Sequence, residues 1–260
     1  MTAVFRPEAR AQAVTASFNN YAPVLGGTTQ DHQWSGFSDA TRPPGVSAGV
    51  SGSAAQWLGG LPSSNDGTSA ARFGGDANFG TDTTDFLTPS SGGGIYAFFS
   101  QTHFTITNPT PLLDLKSITL QIYMAEGLTG AFGGTAAQLA VAPILALQTT
   151  AGNQQLNPTF SLLGSSTPAV VNGSSTHIDL LTYQWDLSSI TDPVEDYTFE
   201  WQTSYHSVTF GADVTESNAA NNASVLAIPE PSSYAFLALG VTLLGWWNRK
   251  RIKSALKPSC

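Results

Sequence analysis

The chain has 260 residues, of which only 11% are charged, with 18 acids, 10 Lys and Arg, and one cysteine. Between Val14 and Ile228 the cations are Arg42, Arg72 and Lys116, set against 16 acids, a balance of −13. Such a surface repels phosphate and excludes nucleic acid as a partner, while the position of the one cysteine, Cys260, excludes an internal disulfide and a cysteine-built metal site.

At the N-terminus, Ala11-Gln12-Ala13 has the small-x-small spacing of a signal-peptidase site, which would make Val14 the first mature residue. Met1 to Arg10 carries no apolar core, because Arg6, Glu8 and Arg10 interrupt it. Residues 1–13 are expected to be the remnant of an export signal whose apolar part lies upstream; the competing reading is that Ala11-Gln12-Ala13 is a chance match in an Ala-rich chain. Short strand signals follow at Val14 to Phe18, Gln33 to Phe37 and Ala55 to Leu58, separated by Gly and Pro clusters. Ser90-Ser91-Gly92-Gly93-Gly94 reads as a hinge or long turn dividing the body.

Beyond it the two-residue period sharpens. Ile95 to Thr107 is rich in aromatic and β-branched residues, with Phe98, Phe104 and Ile106 at even steps. Ile118, Leu120, Ile122 and Met124 line one face of a strand, and Tyr197, Phe199 and Trp201 line one face of another. Val208, Phe210, Ala212 and Val214 are expected to point inward in the same way. Leu139 to Leu147 and Tyr183 to Leu187 fit less well, and Pro143 marks an edge or a bulge. No apolar stripe of helical period occurs before Pro229. The expected fold class is all-β: a β-sandwich, jelly-roll-like, of roughly nine to eleven strands, followed by a single C-terminal transmembrane helix.

Candidate chemistry in the body is sparse. Gly45-Val46-Ser47-Ala48-Gly49 matches the nucleophile-elbow pattern, but Pro43-Pro44 precede it in place of a strand, and an ordinary loop is the better reading. Asp76, Asn78, Asp82 and Asp85 cluster oxygen ligands in a Gly-rich loop and form a candidate calcium site, without the acidic twelfth position of an EF-hand. Glu195, Asp196, Glu200 and Asp213 are the carboxylates to weigh for glycoside hydrolysis, with Glu200 expected to face solvent between Phe199 and Trp201. His32, His103, His177 and His206 are scattered and form no metal-binding pattern. Trp34, Trp57, Tyr96 and Tyr123 could offer a sugar-stacking platform, though most aromatics in a sandwich belong to its core. No cofactor is expected.

The tail is the most specific stretch. From Pro231 to Asn248 no residue is charged, and Arg249, Lys250, Arg251, Lys253 and Lys257 follow at once. As a helix, at about 1.5 Å per residue, that run reaches roughly 27 Å, close to the roughly 30 Å of a bilayer core. Trp246 and Trp247 would sit at the headgroups, with the basic cluster held in the cytoplasm. Pro229 and Pro231 keep the preceding backbone extended.

Pro229-Glu230-Pro231, the polar Ser232 and Ser233, the apolar Tyr234 to Trp247 and the basic Arg249-Lys250-Arg251 together resemble the PEP-CTERM sorting signal of Gram-negative bacteria. The resemblance covers about 30 residues; one departure is the longer end, Ile252 to Cys260. It implies Pro229, Glu230 and Pro231 as the sorting motif and Arg249, Lys250 and Arg251 as the membrane stop. It also implies an exosortase-like membrane protease and the inner membrane as partners, and an association with polysaccharide. The domain organisation then reads as a signal remnant at 1–13, an extracytoplasmic β-sandwich at 14–216, a linker at 217–228 and the sorting signal at 229–257, with its transmembrane helix at 232–248. The function expected is that of a non-enzymatic protein, transiently in the inner membrane with its body outside, then on the cell surface or in the extracellular matrix. The alternative is a secreted carbohydrate-binding module or glycan-active enzyme.

Overall fold

Alternation of side chains across a pleated strand decides which residues meet in the middle of this protein. The computed structural model describes residues 14–19, 25–35, 37, 61–62, 70–76, 87–89, 94–97, 103–125, 139–171, 174–204 and 207–220. Their elements are β-strands in two antiparallel sheets that face each other as a β-sandwich. Among the described residues no helix is long and apolar enough to cross a membrane.

Sheet A holds seven strands: β1 (Thr29–Ser35), β4 (Leu87–Pro89), β5 (Ile95–Ala97), β7 (Ser117–Ala125), β10 (Phe160–Val171), β11 (Ser174–Asp186) and β13 (Val208–Ser217). They run in the order β10-β11-β7-β13-β5-β4, with β1 also paired to β13. Sheet B holds six, β2 (Leu61–Pro62), β3 (Arg72–Asp76), β6 (His103–Asn108), β8 (Leu139–Thr149), β9 (Gly152–Leu156) and β12 (Val194–Thr203), in the order β2-β3-β6-β12-β8-β9. Four antiparallel pairs are nested in the chain: β8 with β9, around them β7 with β11, and β6 with β12, and outermost β1 with β13. Successive pairs of that nest, from β1/β13 inward, alternate between the sheets. Two boundaries differ from the sequence reading. The run Ile95 to Thr107 is two strands, β5 in sheet A and β6 in sheet B. The strands β4 and β5 on either side of the stretch from Ser90 to Gly94 pair with each other, Pro89 opposite Ile95, so that stretch separates two strands of one sheet.

The predicted inward stripes form the core. Ile118, Leu120, Ile122 and Met124 of sheet A and Tyr197, Phe199 and Trp201 of sheet B are buried, while Glu200 projects outward with its side chain 52% exposed. Each fully buried large apolar side chain contributes roughly 1.5–3 kcal/mol by leaving water. Aromatic rings knit the middle: Phe73 lies 5.5 Å from Phe104, 6.0 Å from Trp34 and 6.1 Å from Trp201, centroid to centroid, and Phe104 stacks on Trp201 at 5.5 Å. Trp185 is inside as well, and its indole N–H donates to the Leu156 carbonyl at 3.1 Å.

Three bulges decide which way later residues point. At Pro143 the register with β12 slips between Ile144 and Val141, the irregularity that its proline foretold. In β12 the extra residue is Glu195, so that Val194 packs against the core while Asp196 turns outward. In β13 it is Phe210: Thr209 faces Met124 and Gly211 faces Tyr123, so the residues before the bulge change face. Ala212 and Val214 therefore point into the main core as expected, but Val208 and Phe210 join a second cluster with Ala125 and Ile178 on the outer face of sheet A.

Residues 14–19 cover that second cluster. Their burial alternates as a strand's would, with Val14, Ala16 and Phe18 turned inward, yet they join no sheet and lie over it as a strap. Phe18 meets Tyr123 edge to face at 6.3 Å, and Asn19 exchanges two hydrogen bonds with the Gln121 amide, at 2.9 and 2.7 Å. The strap can lie close because Gly211 beneath it has no side chain. A Cβ there would stand 2.6 Å from the Trp34 carbonyl oxygen, 2.9 Å from the Phe18 ring and 3.0 Å from the Ala16 methyl. Gly211→Ala is expected to destabilise the fold by about 1–3 kcal/mol, since a backbone oxygen cannot step aside. Thermal unfolding followed by circular dichroism checks this as a Tm several degrees lower.

Candidate functional site

Three polar assemblies stand out in the body, one inside the sandwich and one on each outer face. The inner one is centred on Glu216, which continues the inward stripe of Ala212 and Val214 and is wholly buried. Its Oε1 accepts hydrogen bonds from the Tyr197 hydroxyl at 2.7 Å and the Asn108 amide at 2.6 Å, and lies 3.1 Å from His32 Nε2. Its Oε2 accepts from the Leu112 backbone N–H at 2.6 Å. A carboxylate beside Nε2 favours the tautomer that carries hydrogen there. The Tyr197 hydroxyl is held well above its ordinary pKa, by burial first and then by the charge and hydrogen bond of Glu216. With four partners and no route to water, this assembly can fix strands in place but cannot reach a substrate.

On the outer face of sheet A, Asp213 is buried under the edge of the strap. Its Oδ2 accepts from Gln121 Nε2 at 3.3 Å and from the Thr215 hydroxyl at 3.4 Å, and the same hydroxyl reaches Asp31 at 3.1 Å. The Asp213 carboxyl is pushed well above the usual carboxylate range by burial, then by the charge and hydrogen bond of Asp31, with Gln121 and Thr215 opposing. Sequence reasoning grouped Asp213 with Glu195, Asp196 and Glu200. The fold separates them, for Asp213 lies on the outer face of sheet A and the other three belong to β12 in sheet B. No pair of carboxylates across a glycosidic bond can be made from Asp213 and Glu200.

On the outer face of sheet B, β8, β9 and β12 border an open concavity of about 360 Å³. Ala146 lies between Gln155 of β9 and Thr198 of β12, and Gln148 lies between Asn153 and Asp196. Of the sequence candidates only Asp196 belongs to it. Gln148, Asn153 and Gln155 had no sequence signal beyond the polar positions alternating with Leu145 and Leu147.

The remaining candidates fall apart or lie elsewhere. Trp34 is 2% exposed at the centre of the core, and Tyr123 is covered by Phe18, so these two do not form a stacking platform. Trp57, Ser47 with its glycine-rich neighbours, and His206 lie outside the described residues, and for Tyr96 the backbone pairing with Val208 is what is described. Asp76 ends β3 opposite His103, while Asn78, Asp82 and Asp85 lie outside the described residues. Pro229, Glu230, Pro231, Arg249, Lys250 and Arg251 do so too. Among the described residues no three His, Cys, Asp or Glu converge on a point that could hold a metal ion. His103 stands 4.0 Å from Glu200 on the face of sheet B, and His177 is exposed on β11.

Comparison with known proteins gives little to set beside this geometry. No family model matches the chain, and no curated protein matches it. Among solved structures, a chain described as "AvmM Catalyzes Macrocyclization in Alchivemycin A Biosynthesis" is similar over 45% of this chain at 13% identity and a TM-score of 0.15. This chain spans 54% of that one. A likeness at that level carries no argument about fold or chemistry.

Three substitutions read out the two buried carboxyl groups. Tyr197→Phe leaves Glu216 one donor short and is expected to cost about 1.5–3 kcal/mol, and Glu216→Ala, which strands all four of its partners, about 3–5 kcal/mol, both measured by denaturant unfolding. Asp213 works in the opposite sense. A carboxyl whose pKa is raised by folding contributes stability below its ordinary pKa, and that contribution is lost as pH rises through the raised value. Asp213→Asn is therefore expected to melt at a higher temperature than the parent at pH 8, with the difference closing toward about pH 4.

Proposed function

We propose that this chain is an exported, non-enzymatic protein of the cell surface or extracellular matrix. A single helix at 232–248 holds it for a time in the inner membrane, and an exosortase-like membrane protease then passes it outward. The observation that carries this reading is the order of parts in the tail: Pro229-Glu230-Pro231, then an uncharged apolar run, then Arg249-Lys250-Arg251. Cations directly after an apolar span stop translocation and keep that end in the cytoplasm. A motif held extended by two prolines just outside the membrane leaves its backbone open to a protease.

The body suits the same life. Its core is built mainly of apolar and aromatic side chains and is large enough to persist outside the cell without a disulfide. We assign it to the jelly-roll class of sandwiches, a reading supported by the nested pairs and by the orders β1-β13-β7-β11 and β6-β12-β8-β9 in the two sheets. Association with polysaccharide is part of the proposal. A second reading, a secreted carbohydrate-binding module, is favoured by the open concavity over β8, β9 and β12, whose lining includes Gln148, Asn153, Gln155, Asp196 and Thr198.

The tail is tested in the native host, with parent and Pro229→Ala proteins expressed behind the same leader and followed by immunoblot of membrane and surface fractions. The parent is expected as a shortened form at the surface and the variant as a full-length form that stays with the membranes. Identical processing of the two overturns the sorting reading.

A further inference from the structure

We infer that the outer face of sheet B over β8, β9 and β12 is a binding site for a neutral, hydroxyl-rich ligand, either a saccharide unit or a stretch of a glycan chain. The register lays its residues out as two rows of three, Asn153–Gln148–Asp196 and Gln155–Ala146–Thr198. Neighbours in a row stand about 4.8 Å apart and the rows about 6.8 Å apart, the spacings of strands and of alternate residues. Ala146 is the short member, so the longer side chains around it stand as a rim and the methyl group as a floor.

The rim is chemically uncommitted. Among the described residues no side-chain hydrogen bond engages Gln148, Asn153, Gln155, Asp196 or Thr198. Amides offer both donors and acceptors, Thr198 offers one of each, and Asp196 accepts. That mixture matches hydroxyl groups, which also donate and accept, and a planar amide can meet two adjacent hydroxyls of one ring at once. The same set disfavours other ligands. No cation lines the hollow, and Asp196 would repel an anion. One carboxylate is too few for a bound metal ion. The apolar residues in the lining are Ala146 and the buried Leu147, too little exposed side chain to hold an apolar ligand by burial.

The β-bulge at Glu195 is what completes the rim, because it places Asp196 on the outer face opposite Gln148 while Val194 packs inward. The volume of about 360 Å³ falls in the range of small-molecule sites. Beyond Thr198 the face continues onto the exposed Thr107 of β6, and on the other side β9 is the last strand of its sheet. The hollow is thus open at two sides, which admits a chain as well as a single unit. This inference stands on the face of sheet B alone and does not depend on how the tail is processed.

The test uses the full chain in a detergent without a sugar headgroup. Saturation-transfer NMR and calorimetry are run with neutral gluco-, manno- and galacto-oligosaccharides and, as the anionic arm, an oligogalacturonate. The expected result is saturation transfer to at least one neutral oligosaccharide and none to the oligogalacturonate. Affinity is expected to fall at least about tenfold in Ala146→Trp, which fills the hollow, and in Gln148→Ala, which removes its central amide. Leu162→Ser, on the edge of sheet A, is expected to bind as the parent does, and matching melting curves show that each variant is folded. No transfer to any neutral oligosaccharide, a preference for the oligogalacturonate, or equal binding by the parent and Ala146→Trp overturns the inference. None of these readouts involves the tail, so failure here leaves the sorting proposal standing.

Discussion

A buried carboxylate that must be satisfied governs how the two sheets of this protein meet. Apolar packing between sheets is strong but non-directional, and it tolerates sliding. Glu216 adds direction. Its partners are Tyr197 on β12, Asn108 at the end of β6, His32 on β1 and the Leu112 amide in the connection from β6 to β7. Those partners belong to both sheets and to the crossing between them. Moving any one of them away leaves a fully buried carboxyl group short of a hydrogen bond, a larger penalty than the loss of one apolar contact. The same end of the sandwich is pinned again where the Lys116 N–H donates to the Ser217 carbonyl and the Ser217 hydroxyl donates to Gly26.

The outer faces of the sheets have been put to different uses. Sheet A has its face laid over by the chain's own residues 14–19, and the contact is specific: a bulge turns Phe210 outward, Gly211 leaves room, and Gln121 binds Asn19 from both ends of its amide. Even its carboxylate, Asp213, is drawn into that cover. Sheet B has a hollow over β8, β9 and β12 in which polar groups make no hydrogen bonds to the rest of the described protein. A face already covered by its own chain has little left to offer a partner, whereas an open face with uncommitted donors and acceptors can exchange water for a ligand.

Much of this architecture was legible in the sequence because alternation is a local property. The stripes at Ile118 to Met124 and Tyr197 to Trp201 needed no knowledge of their neighbours, and the outward position of Glu200 followed from them. Pro143 announced its bulge because a missing N–H is visible in the sequence. Features that depend on distant residues were hidden. The bulge at Phe210 arises in pairing with β7, so the inward stripe from Val208 to Val214 was correct only after it. Trp34 looked like a candidate for the surface because nothing nearby shows that Phe73 lies 6.0 Å from it. The strand β10, with Gly164 and Pro168 and no clean alternation, is an edge strand, where irregular sequences are tolerated. Glu216 had a signal that could have been followed: an acid that continues an apolar stripe at even spacing is an acid facing the core.

The inner network and the outer hollow are parts of one arrangement. Tyr197 points inward to Glu216, and its chain neighbours Asp196 and Thr198 point outward by the pleat of β12. Whatever fixes the tyrosine ring therefore fixes the placement of two rim residues. Across the strand, Leu147 is buried in the core beside Tyr197, and its neighbours Ala146 and Gln148 supply the floor and the centre of the rim. A receptor surface made of flexible amides would lose entropy on binding unless its backbone were held still. Here the core side of the same two strands does the holding, with a hydrogen-bonded phenol on one and close-packed leucines on the other.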